Sequence, residues 1–330
     1  MRGWRAILSG ALVFAGIWFP TSIHAAPTIT SIVKCGSANK SIDNINTVLA
    51  TLDPNQDNIV QVHGACKENV TITGFNRLTL TAENGASITD TSGGTAAVVS
   101  IMNSWSVTIQ GFTIVGAPAS AFTLPTTAGP NNNYPGDVID CIDSNCTLAD
   151  NTVRDGFDSI FVAAGRGTIN SDVIQNAADC GIFITENGSA SVNGVTVQGG
   201  VGGASGVSVT HSAFMRMEGS TVENNTGDGI DLSNNGSANI IQTTITGNGG
   251  VGVLVSRQSF MQSNSNSITG NAGAGAFIQD LSFAIFAPTT PLNVVTGNNA
   301  GGLQVDCEAQ YPSTRGATTR IGGGTTNCPN

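Results

Sequence analysis

Five aspartates near the middle of the chain have the residue type and spacing that acid–base chemistry on sugars requires. Cleavage of a glycosidic bond uses two carboxyl groups about 5 to 9.5 Å apart, one as the acid and the other as base or nucleophile. Asp155 and Asp158 form one close pair, Asp179 follows them in the next repeat, and Asp228 and Asp231 form a second close pair. If the protein acts on polysaccharide, these five aspartates are its predicted catalytic residues.

A histidine provides a sixth catalytic candidate. His211 follows a predicted strand, and Glu186 and Asn234 occupy the same place in the neighbouring repeats. A contact between Glu186 and His211 would raise the histidine pKa and create an acid–base pair. The alternative is a solvated histidine in a polar turn.

Residues suited to metal binding are few. The segment Gly227-Asp228-Gly229-Ile230-Asp231-Leu232 superficially resembles a glycine–aspartate calcium motif, which however repeats every nine residues. One carboxylate-lined calcium site is compatible with an acidic chain. Because the chain has no CxxC pair and only 3 histidines, the sequence predicts neither a structural zinc site nor an organic cofactor.

The composition excludes several classes of protein. The chain has 330 residues with 42 glycines, 40% hydrophobic and 10% charged residues, and a formal charge of −10. Disordered chains combine low hydrophobicity with high charge density, which is the opposite balance. Nucleic-acid surfaces need basic clusters, and the sequence has none, so no nucleic-acid partner is expected.

The first 25 residues are typical of a secretory signal peptide. Arg2 and Arg5 precede an apolar run that ends near Phe19, and Ala25 offers a small residue for cleavage. The run is shorter than the roughly 20 residues of a transmembrane helix, and no later segment is apolar enough to span a membrane. We therefore expect an extracellular or periplasmic protein without a transmembrane segment.

The cysteines of an exported chain favour disulfides. Of the 7 cysteines, proximity in sequence suggests three pairs, and Cys180 is left over as a buried small hydrophobe. The predicted pairs are Cys35–Cys66, Cys141–Cys146 and Cys307–Cys328.

A repeat organises the region that carries these candidates. Strands with alternating apolar residues begin every 22 to 27 residues, at Ile160, Ile182, Val207, Ile230, Val253, Ala276 and Leu303. A period of this size marks a repeat architecture, and the short strands fit coils that each add one rung about 4.8 Å from the last. Four asparagines lie five residues before a strand onset, and Asp155 has the same place in an earlier coil. We predict that Asn225, Asn248, Asn271 and Asn298 form a stacked ladder.

The repeated phrase, an asparagine followed by glycine and an alternating strand, resembles that of the pectin-lyase-like superfamily over roughly residues 58 to 306. The resemblance implies an all-β fold, a right-handed single-stranded parallel β-helix of about 10 coils of ~23 residues. That superfamily includes lyases, hydrolases, epimerases, tailspikes and surface proteins without catalytic activity. The chain lacks the Gly-His-Gly of its galacturonan hydrolases, the Arg-x-Pro-x-x-Arg of its pectate lyases and the Asp-Pro-His of its epimerases.

Four segments follow from this reading. Residues 1–25 are the signal peptide, 26–57 carry an N-terminal capping helix, 58–306 form the β-helix with a loop excursion at 116–140, and 307–330 form a C-terminal cap. The helix is predicted with Ser41 as its N-cap and an apolar face that covers the first rung.

Two functions are compatible with the sequence. The first is an exported β-helix protein that recognises a surface without catalysis, or has a structural role, and binds polysaccharide or cell-surface glycan on its lateral face. The alternative is a polysaccharide hydrolase or lyase that uses the outward aspartates of adjacent coils. The missing signatures and the 5% aromatic content favour the first.

Overall fold

The protein is a parallel β-helix in which short strands stack from coil to coil. The computed structural model describes residues 28–37, 42–122, 136–287, 291–299, 302–307, 320–322 and 326–328. Their strands form a 20-stranded and a 10-stranded sheet in which paired strands run parallel. Because each coil contributes one strand to the 10-stranded sheet, the solenoid has about ten turns, which confirms the predicted fold class.

The first coils are the least regular, and two of their strands are longer than ten residues. The strands are β1 Thr28–Lys34, β2 Asp57–Lys67, β3 Val70–Thr73, β4 Arg77–Thr89, β5 Val99–Met102, β6 Val107–Gln110 and β7 Thr113–Val115. A helix, α1 Ile45–Leu49, separates β1 from β2, and a 3-10 turn spans Ala119–Ala121.

From residue 136 onward most coils repeat three strands. They are β8 Ile139–Ile142, β9 Asn145–Ala149, β10 Thr152–Arg154, β11 Ile160–Ala163, β12 Arg166–Asn170, β13 Val173–Gln175, β14 Cys180–Thr185, β15 Ser189–Asn193, β16 Thr196–Gln198, β17 Ser205–Val209, β18 Phe214–Glu218, β19 Thr221–Glu223, β20 Ile230–Leu232, β21 Ser237–Ile241, β22 Thr244–Thr246, β23 Val253–Val255, β24 Phe260–Asn264, β25 Ser267–Thr269, β26 Ala276–Ile278, β27 Phe283–Phe286, β28 Val294–Thr296, β29 Val305–Cys307 and β30 Arg320–Gly322. The 10-stranded sheet contains β3, β5, β8, β11, β14, β17, β20, β23, β26 and β29.

The core is a set of columns of identical positions. Ile160 stacks on Ile182, Ile182 on Val207, and Val207 on Ile230, and all four side chains are fully buried. Burial of each such side chain stabilises the fold by about 1.5–3 kcal/mol relative to exposure. Strand alternation therefore places aliphatic residues inside and leaves the intervening positions to form the outer faces.

The predicted asparagine ladder is present. Asn225, Asn248, Asn271 and Asn298 are buried, and each side-chain nitrogen donates to the next side-chain oxygen at 2.9 to 3.0 Å. Asp155 does not belong to this column. Its backbone N–H donates to the carbonyl of Gln175, which places Asp155 in the neighbouring column of left-handed residues, one position before the ladder. The five-residue spacing to Ile160 misled the prediction because the corner before Ile160 is one residue shorter than the later corners.

The last predicted strand onset is also wrong by two residues. Val305, and not Leu303, stacks on Ala276. The buried side chain of Gln304 accepts the final hydrogen bonds of the ladder from Asn298 at 2.9 and 3.0 Å. This coil is longer than the preceding ones and thereby places Gln304 at the end of the asparagine ladder.

The helix α1 covers the outer edge of the 10-stranded sheet. Its N-cap is Asn44, whose side chain accepts the N–H of Thr47 at 2.7 Å, whereas the predicted N-cap, Ser41, lies outside the described residues. The side chain of Asn46 donates to the carbonyl of Asn69 at 2.8 Å and accepts the N–H of Thr71 at 2.9 Å. These bonds replace the missing strand partner of β3.

The predicted disulfides Cys35–Cys66, Cys141–Cys146 and Cys307–Cys328 are confirmed, and Cys180 is free and buried. The predicted signal peptide, residues 1–25, lies outside the described residues. No helix in the described ranges is long and apolar enough to cross a membrane.

Candidate functional site

An acidic cluster lies along the edge of the 10-stranded sheet where its strands begin. Asp137, Asp158 and Cys180 occupy the same position in three successive coils, two residues before the stacked isoleucines Ile139, Ile160 and Ile182. One carboxylate oxygen of Asp137 accepts the N–H of Asp158 at 3.2 Å, and one of Asp158 accepts the N–H of Cys180 at 2.9 Å. Asp179 precedes Cys180, and its carboxylate lies 3.9 Å from the Cys180 sulfur.

This cluster brings together two of the predicted site residues, Asp158 and Asp179. Three potential ligand atoms lie within 4.8 Å of one another, one each from Asp158, Asp179 and Cys180. Asp158 and Cys180 are buried, whereas Asp179 is half-buried. The cluster is therefore open to solvent at Asp179.

The electrostatics of the cluster favour protonated carboxyls. Burial raises the pKa of Asp158 well above its usual value, and the charge of Asp179 raises it further. Burial likewise raises the pKa of Asp137, and the charges of Asp158 and Asp140 add to the effect. Burial also raises the pKa of Asp179 and that of the Cys180 thiol. These shifts follow from several like charges in a site with little water.

Asp228 and Asp231 lie two coils further along the same sheet. Asp231 is the outward, half-buried residue of β20, and its pKa is raised to about 6 by burial and by the charge of Asp228. Asp228 has the same position in its coil as Asp158, and its Oδ1 accepts the N–H of Val251 at 2.6 Å. The Arg257 guanidinium partly offsets the rise in the Asp231 pKa.

The remaining predicted residues lie elsewhere. Asp155 forms an ion pair with Arg154 at 2.7 Å at another corner of the coil. His211 is at the opposite end of the strands, with its Nδ1 3.2 Å from the Thr185 hydroxyl. No ion pair between Glu186 and His211 is found in the part of the chain that the structure describes.

Sequence reasoning missed Asp137 and Asp140 because they fall within the predicted loop excursion. The signal for Asp137 was its distance from Asp158, which is one coil length. Asp140 projects outward from β8 in the column of Phe161, and both side chains are buried. Cys180 was expected to be an inert hydrophobe, yet the charges of Asp158, Asp179 and Asp231 all act on its thiol.

A groove follows the other end of the same strands. Five consecutive coils turn there through two residues in the left-handed conformation, and the resulting groove has a volume of about 670 Å³. Its lining residues are Asn187, His211, Ser212, Asn234, Asn235, Arg257, Gln258, Asp280 and Leu281. His211 and Asn234 lie in neighbouring coils at the same corner, because the backbone N–H of Ser212 donates to the carbonyl of Asn234, and Arg257 follows in the next coil, where its carbonyl accepts the N–H of Asn235.

Exposed apolar side chains flank this groove. Leu281 is 59% exposed, Phe214 45% and Phe260 36%. Phe260 begins its strand two residues after Gln258, and its ring stacks on that of Phe283 with a centroid distance of 5.8 Å. The groove lining therefore combines amide and charged groups with the apolar side chain of Leu281, and Phe214 and Phe260 each begin a strand two residues beyond a lining residue.

The family model described as a right-handed beta helix region matches residues 143–316. The chain belongs to this right-handed β-helix family. No curated protein matches the chain by sequence.

Solved structures share the fold of this right-handed β-helix protein at low sequence identity. A pectin methylesterase in complex with a hexasaccharide is 14% identical, with a TM-score of 0.54 over 73% of this chain and 90% of that one. Pectate lyase Pel9A is 12% identical, with a TM-score of 0.55 over 91% and 78%. An alginate lyase from Paenibacillus is 14% identical, with a TM-score of 0.54 over 91% and 97%. These similarities confirm the parallel β-helix fold.

Proposed function

We propose that this protein is an exported glycan-binding β-helix that holds a polysaccharide in the groove lined by His211, Asn234, Arg257 and their neighbours. The observation that carries the proposal is the groove itself, which spans five coils and four rung spacings, about 19 Å in all. That length accommodates an oligosaccharide of several sugars. The solved structures of similar fold include a pectin methylesterase bound to a hexasaccharide and an alginate lyase, which supports a glycan as the ligand class.

The chemistry of the groove suits sugars. Asn234 and Gln258 offer amides that donate to and accept from hydroxyl groups, and Arg257 offers a fork of donors for a carboxylate. Recognition sites commonly pair a few such polar groups with apolar surface, which Leu281 provides in the groove and the exposed Phe214 and Phe260 provide two residues beyond it. Export of the protein agrees with its three disulfides.

The test compares two glutamines that share a backbone conformation and differ in place. Gln258 and Gln242 are exposed residues with φ of 66° and 48°, and Gln242 lies at a different corner of the coil, outside the groove. Glycine is the substitution of choice because it removes the side chain without strain in this conformation. Binding would be measured by calorimetry after a screen of uronic-acid and neutral oligosaccharides.

We expect Gln258→Gly and Arg257→Gly each to weaken binding by about tenfold, the loss of roughly one hydrogen bond. Gln242→Gly should bind as tightly as the unaltered chain. Equal weakening in all three variants, or no binding across the panel, would overturn the proposal.

A second candidate function is cleavage of the bound polysaccharide by Asp228 and Asp231. The observation in its favour is that the half-buried Asp231 lies near enough to Arg257, a groove residue, for the two charges to interact. Asp228 lies close enough to Asp231 for its charge to raise the Asp231 pKa, and a pair of carboxyl groups is the minimum for glycosidic bond cleavage. Turnover that Asp231→Asn abolishes and Asp155→Asn leaves intact would establish this function, and glycan binding without turnover would exclude it.

A further inference from the structure

We propose that Asp158, Asp179 and Cys180 form a binding site for a divalent transition-metal ion of the zinc class. The three residues come from adjacent coils, and one donor atom from each lies within 4.8 Å of the others. Donor atoms in a tetrahedral zinc site are about 3.5 Å apart, so the three donor atoms need to move by only about 1 Å, through side-chain rotation, to surround an ion. This site is separate from the glycan groove at the other end of the strands.

An unsatisfied oxygen points to a missing ligand. Asp158 is fully buried, and its Oδ1 accepts the backbone N–H of Cys180 at 2.9 Å. Its Oδ2 is also buried and has no hydrogen-bond partner among the described residues. A buried carboxylate oxygen without a partner costs free energy, which coordination to a cation would recover.

The charges around the site are not balanced by neighbouring side chains. The Cys180 sulfur lies 3.9 Å from a carboxylate oxygen of Asp179, and the Cys180 N–H donates to the carboxylate of Asp158 at 2.9 Å. The two ion pairs found in the described ranges, Arg154–Asp155 and Arg216–Glu218, involve neither Asp158 nor Asp179. A bound cation would offset this repulsion and hold the site residues in their charged forms.

The donor types select the kind of metal. A thiolate with two carboxylates suits a borderline ion such as Zn²⁺, with the fourth position open to water. Calcium prefers six to eight oxygen ligands and gains little from a sulfur donor. The other grouping of potential ligands, Cys35, Cys66 and Glu68, is unsuited because its two sulfurs form a disulfide.

Comparison of equivalent positions in neighbouring coils suggests a conservative substitution for Cys180. Ser205 has the position of Cys180 in the next coil, so Cys180→Ser places there a residue that the fold already accepts. Asp179→Asn removes a half-buried ligand, and Asp155→Asn is the control because Asp155 faces Arg154 instead.

The experiment uses the full chain, stripped of metal and titrated with Co²⁺ and Zn²⁺. We expect one Co²⁺ per chain with a thiolate-to-cobalt absorption band, displacement by Zn²⁺, and a rise in the melting temperature with Zn²⁺. Because the other six cysteines are in disulfides, such a band can come only from Cys180. The unaltered protein therefore tests the site even if a variant fails to fold.

Cys180→Ser should abolish the absorption band, and Cys180→Ser and Asp179→Asn should each weaken Zn²⁺ binding by at least about tenfold. Asp155→Asn should change neither property. The proposal is overturned if Co²⁺ binds without a thiolate band, if Ca²⁺ competes as well as Zn²⁺, or if no metal binds. Glycan binding is measured separately, so failure here leaves the groove proposal intact.

Discussion

Asn248 donates a hydrogen bond from its side-chain nitrogen to the side-chain oxygen of Asn271 at 2.9 Å, and both amides are buried. The same oxygen of Asn271 also accepts the backbone N–H of Asn248 at 3.0 Å. Asn248 in turn accepts two bonds from Asn225. Each asparagine thus receives two bonds from the coil before it, so the ladder joins coils through side chain and backbone together.

Asn248→Ala should therefore destabilise the fold by at least about 3 kcal/mol. The substitution leaves a buried N–H and a buried amide of Asn225 without an acceptor, and the carbonyl of Val222 without a donor, at about 1–3 kcal/mol for each buried group that stays unpaired. Urea unfolding would measure the loss. Asn239→Ala is the matched control, because Asn239 is half-buried and accepts one weak bond from Asn264 at 3.3 Å. Equal effects of the two substitutions would contradict the role of the ladder.

The ladder could be predicted from sequence because its asparagines recur with the strands. Asn225, Asn248 and Asn271 are separated by identical coils, so the spacing alone places them in one column. Asp155 and Leu303 were misplaced because the corners beside them differ in length. A corner has no alternation of side chains, and its length sets the register of the strand that follows.

The acidic cluster could be predicted only in part for a related reason. Asp158 and Asp179 were recognised as neighbours, but they do not share a column. In the coil that follows Asp158, the equivalent position belongs to Cys180, and Asp179 lies one residue before it. Asp137 joins the column after a long excursion that ends just before β8. Whether a corner residue points inward depends on backbone dihedrals that residue type alone does not specify.

Asp172 should make the protein less stable as the pH rises. It is fully buried, and burial raises its pKa to about 7, although its Oδ1 accepts the N–H of Asn151 at 2.6 Å. The unfolded carboxyl has a pKa of about 3.9, so between about pH 4 and pH 7 the folded chain holds a proton that the unfolded chain has lost. The contribution of this group to stability is therefore full below about pH 4 and declines as the pH rises to 7.

Asp172→Asn should consequently stabilise the protein at pH 8 by about 2–4 kcal/mol and flatten its pH dependence. The site accepts an amide, because Asn151 and Asn266 in the same column each donate their side-chain nitrogen to a backbone carbonyl. Urea unfolding from pH 4 to pH 8 would follow the effect. Asp143→Asn, at an exposed position in the preceding coil, should leave the slope unchanged, whereas Asp150 is unsuitable as a control because its charge raises the Asp172 pKa. A slope unaffected by Asp172→Asn would show that the carboxyl is ionised in the folded protein.

Gly236, which follows the groove residue Asn235, should tolerate no side chain. A Cβ at this position would lie 2.1 Å from the carbonyl oxygen of Val209 on the preceding coil. Gly236→Ala must therefore separate two rungs, and we expect a loss of about 2 kcal/mol or more. Gly167→Ala is the control, because its Cβ would approach a Val162 methyl at 3.1 Å and its register partner in the next coil is Ala190. Thermal unfolding of the two variants would distinguish them, and similar melting temperatures would mean that the rungs can separate at little cost.

Asn46 should determine whether the first coil stays free of association with other chains. Its side-chain amide forms the two bonds to Asn69 and Thr71 that a preceding strand would otherwise form with β3. Glu68 holds the helix in place, because its carboxylate accepts the N–H groups of Ile45 and Asn46 at 2.7 and 3.1 Å. An uncovered edge of a parallel sheet is a template for pairing with another chain.

Asn46→Ala and Glu68→Ala should therefore promote association between chains while the β-helix itself remains folded. Light scattering at increasing protein concentration would report soluble oligomers, with circular dichroism as a check that the β-helix is intact. Thr47→Ala lies on the same short helix, and the backbone N–H of residue 47 can still donate to the Asn44 side-chain oxygen after the substitution. It should remain as monodisperse as the unaltered chain. If all three variants scatter alike, the bonds from Asn46 and Glu68 do not protect this edge, and packing of the helix against β1 and β3 is sufficient.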